Sequence, residues 1–313
     1  MSELISEKNL QNIEKIENSI EKSNISLYNT YNVDKSLLTT EQNEALNEMH
    51  IHFDTKDSYG LILDDSTYLR YLRARSYDIE KSKNMLESTL KWRNEINIIN
   101  MNEWKETLML EHSTGKMYVR GYDNEGHVIL YMKPKYENTH NHDGNIKNLI
   151  YTLEKVSICM RKDKRQEKMV LIIDYDGFSL LNSAPMKTSM ETLNILQNHY
   201  PERLYSAYMC RPPWIFNTFW NMIYPFVDPV TKQKIHFIKN SCDIVSTLGE
   251  YMNPNQIECY LGGSNDIEFN HELYLNGAMD LEYDEIWKLY SDTLIEGKVE
   301  IKEEEEKEEL EDK

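Results

Sequence analysis

Ser179, Asp174 and His199 are the residue types of a hydrolase triad, but a nucleophilic serine must be presented on a sharp turn. No Gly-x-Ser-x-Gly segment surrounds Ser179, so the nucleophile elbow of that chemistry is missing. Asp174 reads instead as a residue that orders a strand-to-turn junction. The pairs His50/His52 and His140/His142 have no cysteine partners nearby, and the second pair sits among asparagines. No Cys-x-x-Cys or Cys-x-x-His spacing offers a zinc site. No glycine loop offers a nucleotide cradle. A lipid hydrolase therefore reads as the weakest of the candidate functions, and the most informative stretch lies between Tyr200 and Lys234.

That stretch opens Tyr200-Pro201-Glu202-Arg203, passes through Arg211-Pro212-Pro213-Trp214 and closes Tyr224-Pro225-Phe226-Val227-Asp228-Pro229-Val230-Thr231-Lys232-Gln233-Lys234. Between the prolines, the segment from Trp214 to Ile223 reads as apolar on every face. A surface helix normally has one apolar stripe and one polar face, so such a segment is buried or covers something equally apolar. It is too short to span a bilayer, which takes about twenty residues. The expectation is an aromatic lid built from Trp214, Phe216, Phe219, Trp220, Met222 and Phe226, flanked by isolated charges such as Glu202 and Lys234. A lid of this kind suits a lipid.

The chain resembles the CRAL-TRIO family of lipid-binding proteins, and within it the phosphatidylinositol transfer proteins. The likeness is carried by five segments in order: Asp65 to Arg75 running on to Trp92-Arg93, Gly121 to Val128, Leu171 to Gly177, the Tyr-Pro-Glu-Arg and Asp-Pro-Val-Thr pair, and Leu261-Gly262-Gly263. The resemblance implies that Arg75, Glu202, Thr231 and Lys234 hold an inositol phosphate headgroup. The residue types fit, because arginine binds a phosphodiester with parallel hydrogen bonds. A carboxylate, a hydroxyl and an ammonium meet the needs of ring hydroxyls. Read without the resemblance, the same four are surface charges near turns or a structural Glu–Arg pair. Two departures stand out. Where the family often has lysine after the arginine, this chain has Ser76. Where dual-specificity relatives use hydroxyls to hold phosphocholine, it has Met169 and Leu171 on the strand and Val119 and Leu130 at the hairpin. A phosphocholine site is therefore expected to be absent or rebuilt, with Tyr122 and Tyr131 close enough to substitute.

These residues need a scaffold. Residues 41 to 105 read as helices, with Asp64 or Asp65 capping one and Asp78 the next, since a carboxylate accepts the free amide hydrogens of a first turn. After 115 the pattern changes to short apolar runs at Val128–Met132, Met169–Ile173, Leu204–Cys210 and Ile235–Ile238. Helical patterns at Ile150–Arg161 and Pro185–His199 separate them, while Asp143-Gly144 and Asn124-Glu125-Gly126 mark loops. Alternating strands and helices predict a mixed, largely parallel sheet with helical crossovers. Continuous apolar runs fit strands covered on both faces. The fold class expected is α/β: an N-terminal helical module followed by a CRAL-TRIO-like sheet enclosing a lipid pocket. The divisions read as a polar extension at 1–35, the helical module at 36–110, the lipid-binding domain at 111–275, and a C-terminal helix with an acidic tail at 276–313. Leu10, Ile13, Ile16 and Ile20 hint at an amphipathic helix in the extension. The run at 297–313 holds nine acidic side chains and four lysines, a solvated composition that cannot bury a core.

The net charge of −18 argues against a nucleic-acid partner held by phosphate contacts. It also argues against a basic membrane-adhering surface, so membrane contact is expected through a local apolar patch. There is no twenty-residue apolar window and the first residues are polar, unlike a signal peptide. Cys159, Cys210, Cys242 and Cys259 have no close pairing and read as reduced and buried, as in a cytosolic protein. The expectation is a monomeric, non-enzymatic, cytoplasmic carrier that touches membranes transiently, with no cofactor beyond a bound phospholipid. The rival expectation is a carrier or sensor of another hydrophobic ligand, such as a sterol, a tocopherol-like molecule or a retinoid.

Overall fold

The computed structural model describes residues 33–162, 166–179 and 183–276. The amphipathic pattern at Leu10 to Ile20, the predicted C-terminal helix and the acidic tail lie outside them. Within the described part, helix α1 (Thr40–Phe53) opens on a capping box. The Gln42 amide donates to Thr39 Oγ1 at 3.2 Å, and the Thr39 amide donates to Gln42 Oε1 at 3.0 Å. Helix α2 (Asp65–Ala74) starts at Asp64, whose carboxylate accepts the Thr67 amide at 2.9 Å. Helix α3 (Ile79–Glu95) starts at Asp78 in the same way, through the Lys81 amide. Leu46, Met49, Phe53, Tyr68, Leu69, Leu72 and Leu86 pack into one buried cluster between these helices.

Helix α2 buries more than one stripe: residues 66 to 72 are all buried, Arg70 included. The cause lies on its other side. Arg70 Nη1 donates to the Pro201 carbonyl at 3.3 Å and the Tyr71 hydroxyl to the His199 carbonyl at 3.2 Å. A second seam joins α3 to α5 (His142–Lys162), where Arg93 makes two hydrogen bonds to Glu154, at 2.8 and 3.0 Å. The Tyr200 hydroxyl donates to the same carboxylate at 2.6 Å. Burial would raise the Glu154 carboxyl, but the Arg93 guanidinium overrides it and holds the group below its ordinary range. Losing one partner of such a pair strands the other and costs about 3–5 kcal/mol.

Helix α4 (Lys105–His112) leads to a five-stranded sheet of order β1-β2-β3-β4-β5. Its strands are β1 (Met117–Tyr122), β2 (Val128–Met132), β3 (Met169–Asp174), β4 (Leu204–Cys210) and β5 (Ile235–Ile238). β1 and β2 form an antiparallel hairpin, and every later pairing is parallel. The parallel crossovers are α5 between β2 and β3, α6 (Met186–His199) between β3 and β4, and the segment 211–234 between β4 and β5. Helix α5 begins earlier than its apolar pattern. Asp143-Gly144, expected in a loop, lies in its first turn because the Asn141 side chain accepts the Gly144 amide at 2.9 Å.

The two sheet faces are covered differently. Tyr118, Ile129, Tyr131, Val170, Ile172, Tyr208, Cys210 and Ile238 face α9 (Ser241–Gly249) and the closing segment, through Ile244, Leu248, Ile257 and Leu261. On the other face, Met117, Val119, Val128, Leu130 and Met169 lie under α5 and α6. Further along that face, Ile173, Ala207 and Met209 meet Phe216. The closing turn needs its second glycine: a Cβ at Gly263 would come within 1.9 Å of the Ile257 carbonyl oxygen. The four cysteines are free, but only Cys159 and Cys210 are buried. Cys242 and Cys259 are exposed because each stands beside the start of a helical turn on the outside of the closing segment, contrary to the expectation of four buried thiols.

Candidate functional site

The far half of the second sheet face is only partly covered. Leu171, Leu204 and Ile235 are half-buried and Phe237 is exposed. Helix α7 (Phe216–Ile223) and a following 3-10 turn at Tyr224–Phe226 lie beside this floor. Phe216 is the anchor, 1% exposed and 4.5 Å from the Tyr175 ring centroid. Trp220 is half-buried and meets Phe237 edge-on at 5.5 Å. Trp214, in the turn before the helix, is 79% exposed, and Met222, Tyr224, Phe226 and Val230 are exposed as well. Phe219 belongs to α7, and its side chain lies outside the described ones.

One sequence expectation needs correction here. The segment is not apolar on every face, because Asn217, Thr218 and Asn221 stand together in solvent. Helical spacing gathers them on one side and Phe216, Trp220 and Ile223 on the other. The helix is also shorter than the expected span, since Trp214 and Ile215 form the turn that leads into it.

Both ends of this segment are tied. At the entrance, Arg211 takes a left-handed backbone (φ 53°), and its guanidinium grips Asp174 with two bonds, at 3.0 and 2.6 Å. Burial opposes the charged guanidinium, but the Asp174 carboxylate raises it above its ordinary value, so it stays charged. Asp174 also accepts the Asp176 amide at 3.0 Å. It therefore orders the strand-to-turn junction and, through Arg211, the start of the segment that leads into α7. At the exit, Gln197 of α6 donates to the Phe226 carbonyl at 2.9 Å. Neither tie was read from the sequence.

The polar candidates lie near the entrances of the parallel strands. Glu202 precedes β4 with φ 58°, a left-handed conformation that costs a non-glycine residue energy and is concentrated at functional sites. Lys234 precedes β5, and its ammonium donates to the Leu204 carbonyl at 2.9 Å. Burial pushes this ammonium below its ordinary value, and the Glu202 carboxylate pulls it back. Thr231 sits one turn earlier in α8 (Pro229–Gln233), its amide donating to Asp228 Oδ1 at 3.1 Å. Glu202 and Lys234 are thus within electrostatic reach, with Thr231 three residues away in the chain. Arg75 ends α2 and donates to the Ala74 carbonyl at 3.0 Å. It shares with the others the packing of α2 against the Pro201 turn, and no bond of its own to Glu202 or Lys234.

The positions expected to have lost a phosphocholine site form a continuous apolar track. Val119 pairs with Leu130 and Leu130 with Leu171, while Met169 is buried among the same neighbours. Of the proposed substitutes, Tyr122 packs near this cluster at the end of β1. Tyr131 cannot serve. It points to the opposite sheet face and donates to the Gln256 carbonyl at 2.7 Å, because strand residues alternate and Leu130 takes the near side.

The paper triad is dispersed. Asp174 is taken by Arg211, and His199 stacks on Trp92 at 4.1 Å with Nδ1 against Thr89 Oγ1. Burial lowers the His199 imidazole to about 4, so it is neutral at physiological pH. The histidine pairs are engaged separately: His50 with Asp54 and Asp65, His52 with Glu87, His140 with the Ser183 carbonyl and His142 with Thr188. Among the described residues, no three potential metal ligands gather and no helix is long and apolar enough to cross a membrane.

Comparison with known proteins gives the site its context. The family profile "CRAL/TRIO domain" matches residues 112–263, and "CRAL/TRIO, N-terminal domain" matches residues 45–88. The chain is 32% identical over 220 residues to the SEC14 cytosolic factor of Kluyveromyces lactis, covering 65% of this chain and 72% of that one. It is 30% identical over 222 residues to the phosphatidylinositol transfer protein PDR17 of Saccharomyces cerevisiae, covering 68% of this chain. That match spans only 61% of PDR17. The crystal structure of Sfh5 superposes with a TM-score of 0.57 at 17% identity, over 85% of this chain and 99% of the other, a likeness of fold.

Proposed function

The chain belongs to the CRAL/TRIO family, and from that premise we propose that it carries phosphatidylinositol between membranes without covalent chemistry. The observation that supports this most is the lid region. Trp214, Met222, Tyr224, Phe226, Val230 and Phe237 are exposed together beside an incompletely covered apolar floor. Each large apolar side chain moved out of water is worth roughly 1.5–3 kcal/mol. A bilayer can shield these side chains, and also the Phe216 and Trp220 face that an opening lid would uncover, so the open lid costs less at a membrane than in water. The acyl chains would lie along Leu171, Ile173, Ala207, Met209 and Ile235, giving the lipid tails a dry path out of the bilayer. Glu202, Thr231 and Lys234 would meet the inositol hydroxyls, and Arg75 would take the phosphodiester after releasing the Ala74 carbonyl. The names of PDR17 and other relatives point to the same lipid.

The carrier works as a cytoplasmic monomer that meets membranes only in passing. A sterol, tocopherol-like or retinoid ligand fits less well, since a neutral ligand leaves a strained Glu202 and a half-buried Lys234 with nothing to bind. The test is vesicle-to-vesicle transfer of phosphatidylinositol by the doubly substituted Glu202→Ala, Lys234→Ala protein. Transfer is expected to be abolished while the melting temperature is kept. Undiminished transfer by the folded variant would remove these residues from the headgroup site.

A further inference from the structure

We propose that Lys168 is a further headgroup residue, a cation that selects an anionic polyol headgroup over a zwitterionic one. The inference rests on the headgroup reading above. Its basis is the parallel sheet, which brings three separate chain segments side by side. Lys168 directly precedes β3, Glu202 comes just before β4 and Lys234 directly precedes β5. The Met169 amide donates to the Arg203 carbonyl at 2.8 Å. Lys234 reaches the next carbonyl, Leu204. Adjacent strands are about 4.8 Å apart, so the three residues stand side by side at the entrance end of β3, β4 and β5, with Glu202 before the strand between the two lysines.

The backbone under Lys168 is held from several sides. Ser66 of α2 donates to the Glu167 carboxylate, and Arg73 of the same helix lies 3.9 Å from it. Arg203 donates to the Glu167 carbonyl at 2.9 Å. The helix that ends in Arg75 is thereby pinned to the segment that bears Lys168. In contrast, the Lys168 side chain is half-buried and has no hydrogen bond or ion pair among the described residues. Its charge is felt at Lys234, where it opposes the protonated form, while Glu202 and Asp228 favour it. Two half-buried ammonium groups that repel one another, neither bound to a carboxylate, are relieved by an anion placed between them. A phosphodiester supplies that anion. Phosphatidylcholine brings a phosphate too, but its quaternary ammonium would be repelled by the same pair, whereas inositol adds only hydroxyls.

The experiment compares the wild-type protein with Lys168→Gln and Lys168→Arg in vesicle transfer of phosphatidylinositol and of phosphatidylcholine. The glutamine variant should transfer phosphatidylinositol about ten-fold more slowly, the size expected for one charge-assisted hydrogen bond. Its phosphatidylcholine rate should not fall, its melting temperature should hold, and arginine should restore most of the loss. Normal phosphatidylinositol transfer by Lys168→Gln would overturn the role of Lys168 alone. Equal loss for both lipids, or no rescue by arginine, would reduce the residue to a structural one. Absence of phosphatidylinositol transfer by the wild-type protein would overturn the headgroup reading, and this inference with it.

Discussion

Glu202 and Leu171 show how single side chains divide the work of the proposed site. Glu202 keeps a carboxylate where the backbone conformation favours glycine, and it faces a lysine whose ammonium burial disfavours. Leu171 does the opposite: it extends the Val119–Leu130 track where a phosphate would need a donor. An unmet phosphate loses about 1.5–3 kcal/mol, or about ten-fold or more in rate. Phosphatidylcholine should therefore move at least about ten-fold more slowly than phosphatidylinositol in the same vesicle assay. Equal rates would mean that other donors have replaced the lost hydroxyls. The residue types of this site were open to reading in the chain, but their partners were not. Asp174 ends β3 and Arg211 directly follows the neighbouring β4, a whole crossover later in the chain. Lys168 gains meaning only when β3 and β4 lie parallel.

Helix α7, the proposed lid, is a tethered element. Arg211 and Asp174 fix where it starts, Gln197 holds the turn after it, and Phe216 alone among its described side chains is fully buried. In the proposed gating motion the segment would swing between these ties and lift Phe216 from Ile173, Ala207 and Met209, while the sheet keeps its own ladder. Cysteines placed at Trp220 and Phe237, in a background lacking exposed Cys242 and Cys259, and bridged by a short reducible bis-methanethiosulfonate reagent, would join the helix to β5. Once mass spectrometry confirms the crosslink, transfer should fall to background and return on reduction. Undiminished transfer by the crosslinked protein would leave these aromatics as ordinary packing. The strands were legible because β2 to β4 are continuous or nearly continuous apolar runs that are largely buried; β5 at the sheet edge buries only Ile238, and its apolar residue types alone marked it. The lid was misjudged in one respect, although its polar face was present in the spacing of Asn217, Thr218 and Asn221. The aromatic density masked it, and in a helix of two turns three polar residues are enough to make a face.

The molecule as a whole joins a helical module to a sheet domain through buried polar seams. Arg93, Glu154 and Tyr200 make one; Arg70 and Tyr71 against the 199–201 turn make the other. These seams place the end of α2 near the strand entrances, so Arg75 and Glu202 come from different modules yet can serve one ligand. A charge of −18 is repelled by anionic bilayers, so the proposed membrane contact would fall to the exposed aromatics. In water the uncovered floor between α6 and α7 calls for an occupant, and a lipid would complete the apolar layer that the protein leaves open. Native mass spectrometry of the purified full chain tests this most directly. One phosphatidylinositol per protein, lost when Glu202 and Lys234 are both replaced by alanine, is the expected result. A sterol, tocopherol-like or retinoid mass in its place, or a chain that retains no lipid and takes up none from phosphatidylinositol vesicles, would show that the site is not built for this headgroup.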